Sequence, residues 1–291
     1  MTMAINAAEK FHGATTPLPP AGAIALDKGG KVLLGAALQS AESPSAEAKL
    51  LDLAQKLGKL ATIETLVCTL EPEAELILKH KNIRRVVLGA KNPKGGTAIE
   101  KLRKAGVEIL EGTVQQECEF LIRAFTKFQR TGKPYVTLKG AFTTEGAQKA
   151  LSSKPSLIFS HELRRRCDAI WTSSGTVLAE KPDLSVSWVP DHPQKKRQLV
   201  LSDRRRRIPP EWIARTKASG FTAPHFAESL EQGLEFLGKK NVLEVLVEAG
   251  PTLRDAWLES GLWDESVVFL QGEGDADDEI DIQFRHETGE D

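Results

Sequence analysis

Cysteine is scarce in this chain, and signals for export or membrane insertion are missing. Its 291 residues hold three cysteines, Cys68, Cys118 and Cys167. They lie far apart and are odd in number, so neither a disulfide framework nor a zinc ribbon follows from them. No stretch approaches the roughly 18 consecutive apolar residues of a spanning helix, and Met1 to Lys10 has no basic segment leading into an apolar core. A reducing cytoplasm is the expected compartment, with no membrane partner. Excess charge is lacking too: 39 basic and 40 acidic residues leave a formal net charge of -1, which argues against a nucleic-acid partner. No serine, histidine and acid constellation can be assigned.

What is present is the material of an ordinary globular protein, 41% apolar and 27% charged. The length exceeds the usual single domain, so two domains of roughly 130 to 150 residues are expected. A flexible leader is expected over 1–20, ending at Pro17-Leu18-Pro19-Pro20. Ala21 to Leu26 and Lys31 to Ala36 then read as a hairpin around the turn Asp27-Lys28-Gly29-Gly30. Helical patterns at Ala46 to Leu57, Glu73 to His80 and Thr97 to Ala105 alternate with apolar runs at Glu64 to Leu70, Arg85 to Gly89 and Val107 to Ile109. Gln115 to Arg130 is one further amphipathic helix, and Thr131-Gly132-Lys133-Pro134 ends it.

The second half restarts the alternation. Strands are expected at Tyr135 to Gly140, Ala169 to Thr172, Gln198 to Leu201, Val242 to Val247 and Glu265 to Leu270, with helices near Ser160 to Arg166, Ser229 to Leu237 and Thr252 to Ser260. The acidic stretch 272–279 reads as a solvated loop and Ile280 to Phe284 as a last edge strand. Such alternation argues for an α/β fold.

Two segments invite a ligand. Glu248-Ala249-Gly250-Pro251-Thr252 follows an apolar strand and opens a helix, where free N–H groups and the helix dipole favour a phosphate. The same residues also suit a plain strand-to-helix turn with proline near the helix start. Thr172-Ser173-Ser174-Gly175-Thr176 places hydroxyls and glycine after a strand, where open α/β sheets bind ligands, although serine and threonine are common turn formers and caps. Lys195-Lys196-Arg197 and Arg204 to Arg207 could pair with phosphate, but they have no interleaved aromatics and read as solvated loops, with a cofactor 2′-phosphate role for one arginine left open. His161, in a helical run, reads as a packed histidine.

The chain resembles the bifunctional riboflavin-biosynthesis family, a pyrimidine deaminase fused to a 5-amino-6-(5-phosphoribosylamino)uracil reductase. The likeness runs from about Gly22 to Phe284. In the second half it rests on Pro134 to Lys139, His161-Glu162-Leu163-Arg164 with Asp168-Ala169-Ile170, Thr172 to Ala179, and Glu248 to Leu253; in the first half on Thr69-Leu70-Glu71-Pro72, Asn92-Pro93 and Ala105-Gly106-Val107. A zinc deaminase needs one imidazole and two thiolates around an open water position. Ser45 stands at the imidazole position and Glu73 where a thiolate should follow Pro72. Glu47, at the general acid/base position, would then have no metal-bound water to deprotonate and instead supplies charge at a helix start.

The resemblance implies a zinc-free, cytidine-deaminase-like domain over 21–131, then a dihydrofolate-reductase-like domain over 132–291 that binds NADPH and a small pyrimidine substrate, in a homodimer formed through the second domain. Lys139 and Glu145 would orient substrate. Ser152, Thr172, Ser174, Thr176, Glu248, Ala249, Gly250 and Thr252 would line the cofactor site. Glu145 replaces the family's aspartate, and further departures (a shortened 146–152 loop, Ala249 for glycine, Glu180-Lys181-Pro182 for Asp-Asp-Pro, Ser187 for arginine) support a rival reading, a catalytically silent binding or scaffolding partner. A third reading is a reductase acting on another pyrimidine or a pteridine.

Overall fold

The computed structural model of the chain describes residues 1–148, 151, 153–272 and 277–285. It divides into two compact units, Met1–Arg130 and Thr131–Asp291. Both are α/β, each built on one sheet.

The first unit runs α1 (Thr2–Glu9), β1 (Gly22–Leu26), β2 (Val32–Ala37), α2 (Ala46–Lys56), β3 (Thr65–Leu70), α3 (Ala74–Leu78), β4 (Arg85–Ala90), α4 (Ala98–Lys104), β5 (Glu108–Leu110), α5 (Gln115–Leu121) and α6 (Arg123–Thr131). Its sheet has the order β2-β1-β3-β4-β5. The β1–β2 turn forms because Asp27 Oδ1 accepts the N–H groups of Gly29 and Lys31, both at 2.9 Å, while Gly30 takes φ +80°. One sheet face packs Leu50, Ala54, Ile77 and Leu102 from α2, α3 and α4. Across the other lie α1 and α5.

Two expectations for this unit are corrected. The first twenty residues are not a loose leader: α1 lies on β1, with Ala4 and Ala8 fully buried. Gly22 makes room for it, because a Cβ there would stand 2.0 Å from the Ala4 carbonyl oxygen. The single helix expected over Gln115 to Arg130 is two, since the backbone leaves helical geometry at Ile122 (φ -104°, ψ 11°).

The second unit runs β6 (Tyr135–Phe142), α7 (Lys154–Arg166), β7 (Ala169–Ser173), α8 (Ser174–Glu180), β8 (Gln198–Ser202), α9 (Pro210–Ala218), β9 (His225–Phe226), α10 (Leu230–Lys239), β10 (Glu244–Glu248), α11 (Pro251–Ser260), β11 (Glu265–Leu270) and β12 (Glu279–Phe284). The sheet order is β12-β11-β6-β10-β7-β8-β9, parallel except for β12. Helix α7 starts earlier than expected because Ser153 caps it, accepting the Ser156 N–H at 3.3 Å, and Pro155 occupies its first turn.

Alternation along the strands sorts two cores. Ile170, Leu199, Leu201 and Leu246 face one layer with Leu163 and Trp212. Val136, Leu138, Trp171 and Val247 face the other with Leu234, Leu237 and Trp257. Trp171 and Trp257 meet edge to face at 4.9 Å. The parallel strands bring the ends of β6, β7, β8 and β10 to one edge of the sheet, the edge where such sheets place ligands.

Candidate active site

Glu248, the last residue of β10, sits in register with Lys139 on β6, so both side chains leave the same sheet face. Helix α7 crosses that face and delivers Arg164. Its Nε donates to Glu248 Oε1 at 2.5 Å, Nη2 donates to Oε2 at 2.8 Å, and Nη1 donates to the Ser185 carbonyl at 3.0 Å. Lys139 Nζ lies 3.7 Å from Glu248 Oε2. Burial alone would push the Glu248 carboxyl up; the charges of Arg164 and then Lys139 outweigh it and hold the group down at about 2. The carboxylate is therefore a permanent anion at neutral pH. Next to it, burial and then the Arg164 charge lower the His161 pKa. Its Nδ1 accepts the Ser187 N–H at 3.0 Å, which matches a neutral ring.

From β10 the chain passes through Ala249 and Gly250 into α11. Pro251 occupies the first helical turn, and among the described residues no side chain caps this end. The N–H groups of Thr252 and Leu253 thus lack helical acceptors and carry the positive end of the helix dipole. Thr176 Oγ1 accepts the Gly250 N–H at 3.0 Å and lies 3.1 Å from Ser173 Oγ, which in turn accepts the Thr176 N–H at 3.2 Å. The turns after β7 and β10 are tied together by this one hydroxyl.

Lys139, Thr176, Glu248 and Ala249 line a cleft of about 230 Å³, together with Pro251 and Arg254. Other expected site residues lie elsewhere. Glu145 is exposed on the turn in which the Gly146 N–H meets the Thr143 carbonyl, and it does not line the cleft. Thr172 shares the inward face of Ile170 and is fully buried, its hydroxyl without a partner among the described residues, and it does not line the cleft. Ser174 is also buried, its hydroxyl accepting from Arg207 Nη2 at 2.9 Å. Thr252 is exposed in the first turn of α11. Gly250 would tolerate a Cβ, whose nearest neighbours stand at 3.6 and 3.7 Å. Ser152 lies outside the described residues.

Arg204 to Arg207 are exposed, as expected of a solvated loop, whereas Lys195 and Arg197 of the other basic run are drawn inward. Arg197 is 5% exposed and forks onto Asp191 at 2.9 and 2.6 Å. Lys195 Nζ lies 3.6 Å from Asp168 and donates to the carbonyls of Arg165 and Arg166. Arg204 donates to the Glu228 carbonyl, and Arg206 stacks over Phe226 at 3.8 Å. Asp203 folds this loop by accepting the N–H groups of Arg207 and Ile208. Nearby carboxylates, carbonyls and rings recruit most of these cations.

The site residues that sequence reading missed are Arg164 and Arg254. A signal for the first existed: a glutamate ending an otherwise apolar strand needs a buried counter-ion.

In the first unit, Ser45 Oγ accepts the Ala48 N–H at 3.4 Å as the cap of α2. Glu47 is 7% exposed and accepts the Glu73 N–H at 3.1 Å. Burial, then the charge of Glu47, raises the Cys68 thiol well above its ordinary value, and burial raises that of Cys118 to about 11, so neither is poised as a thiolate ligand. Among the described residues no three His, Cys, Asp or Glu side chains are grouped to hold a metal. This donor set does not fit a zinc ion with an open water position.

Residues 133–271 match the RibD C-terminal domain. The riboflavin biosynthesis protein RibD of Aquifex aeolicus is 30% identical, over 94% of this chain and 87% of that protein, and its Escherichia coli namesake is 29% identical, over 93% and 86%. The solved structure of Acinetobacter baumannii RibD, form 1, superposes with a TM-score of 0.77 at 25% identity, covering 94% of this chain and 86% of the other. With its deaminase-like first unit, its dihydrofolate-reductase-like second unit and this similarity along both, the chain belongs to the RibD family of riboflavin biosynthesis proteins.

Proposed function

We propose that the second unit is an NADPH-dependent reductase acting on the ribosyl group of a 5-amino-6-(5-phosphoribosylamino)uracil-type substrate, and that the deaminase-like unit is catalytically silent. One observation carries the first half: the uncapped start of α11 opens beside Lys139 and Glu248 at the ligand-binding edge of the sheet. Bound there, NADPH would supply a hydride. The amides of Thr252 and Leu253 would hold phosphate oxygens, and Thr176 keeps Gly250 in place for them. Lys139 would donate hydrogen bonds to a substrate oxygen, with Glu248 fixing the direction of its ammonium. The silent first unit is supported by Ser45 and Glu47 being spent on caps and backbone hydrogen bonds. Exposed Ile282 on the edge strand β12 supports a homodimer formed through the second unit.

Calorimetric titration with NADPH, with NADH as control, tests the reductase reading, followed by NADPH oxidation in the presence of the deaminated pyrimidine substrate. Selective binding and turnover are expected. Failure of both cofactors to bind overturns it in favour of a silent binding partner, the reading that the exposed position of Glu145 supports. Release of ammonia from the aminated pyrimidine would overturn the silent first unit.

A further inference from the structure

We propose that Arg254 is the anion-reading residue of the cleft, taking a phosphate group of a phosphorylated ligand. The proposal rests on the reading of this cleft as a ligand site. Among the described residues three cations line it, and two are already committed: Arg164 forks onto Glu248, and Lys139 approaches the same carboxylate. Arg254 is different. Among the described residues no carboxylate forms an ion pair with it, its Nε is enclosed without an acceptor, and Nη2 reaches only Ser266 Oγ at 3.5 Å.

The side chain is nonetheless held in place. Its guanidinium lies 5.1 Å from the Phe142 ring centre. Gly140 clears the floor beneath it, since a Cβ there would stand 2.6 Å from Phe142 and 3.1 Å from Arg254 Nε. A half-buried, positioned guanidinium with spare donors fits the paired oxygens of a phosphate, which it can meet through two parallel charge-assisted hydrogen bonds. Arg254 stands in the opening turns of α11, whose dipole favours the same charge. A phosphate monoester on the substrate and the diphosphate of a dinucleotide share this chemistry.

Calorimetry of the full chain with ribose 5-phosphate and with inorganic pyrophosphate separates these sources, using wild type, Arg254→Gln and Arg254→Lys, with thermal melting of each. Arg254→Gln is expected to weaken at least one probe about tenfold or more, and Arg254→Lys to retain part of the affinity. Loss confined to ribose 5-phosphate assigns the substrate side; loss confined to pyrophosphate assigns the cofactor side. Should Arg254→Gln fail to fold, a several-fold loss in Arg254→Lys carries the same meaning. A wild type that binds neither anion overturns the proposal. So does unchanged affinity in the variants, including the case where melting falls and Arg254 serves only to pack on Phe142. Failure of NADPH to bind while Arg254-dependent anion binding persists would remove the reductase reading and leave this one standing.

Discussion

Replacing Glu248 with glutamine removes the one anion that two buried or half-buried cations share. In the wild type the carboxyl is held at about 2, against an ordinary value of 4.5. By linkage that depression corresponds to about 3 kcal/mol of stability at neutral pH, the same order as the roughly 3–5 kcal/mol lost when one partner of a buried pair is deleted. A depressed carboxylate pKa stabilises the fold above the unfolded value, and the contribution fades as pH falls from about 4.5 toward 2. Glu248→Gln should therefore lower the melting temperature of the second unit by roughly 6–12 °C at pH 7, taking about 2–4 °C per kcal/mol for a unit of this size. The gap from wild type should narrow in acid. Differential scanning calorimetry at a series of pH values reads both effects, and a cycle with Arg164→Met isolates the coupling. A variant that melts with the wild type at pH 7, or a gap that does not narrow in acid, would refute the claim that this ion pair is a net stabiliser.

Thr176→Val keeps the shape but leaves the Gly250 N–H without its 3.0 Å acceptor; a loss of about 1–3 kcal/mol in chemical denaturation, together with weaker NADPH binding, is expected. Gly233→Ala would press a methyl to 2.1 Å from the Trp171 ring, so overpacking should cost about 1–3 kcal/mol or more by the same measurement. Glu47→Gln should leave the NADPH-dependent rate unchanged in a steady-state assay, because Glu47 belongs to the first unit and accepts the Glu73 N–H there; a large drop would contradict the division of labour.

Much of the architecture could be read locally. The β1–β2 hairpin sits where Asp27 and Gly30 force a turn, and apolar runs such as Val86–Leu88 and Val245–Val247 have no environment but a covered sheet. The misses have long-range causes. Helix α1 offers only Ala4 and Ala8 as fully buried side chains, and its seat depends on Gly22 in a strand formed later in the chain. Thr172 and Thr176 belong to one hydroxyl-rich segment, yet strand alternation buries the first while the onset of α8 turns the second toward the cleft. The site was legible as a set of segments but not as a set of contacts: Arg164 and Glu248 are separated by 84 positions. The run Lys195 to Arg197 misled for the same reason, since its acceptors Asp191 and Asp168 are supplied by folding.

The tie from Thr176 to Gly250 also bears on affinity. It joins the turns after two parallel strands, and Ser173 braces it from beneath. One wall of the cleft is thus pre-shaped before any ligand arrives. Encounter there should need little ordering of the backbone, so less of the interaction free energy is consumed by lost chain freedom. Adaptation to different ligands would have to come from the other side chains that line the cleft, among them Leu157 and Leu184.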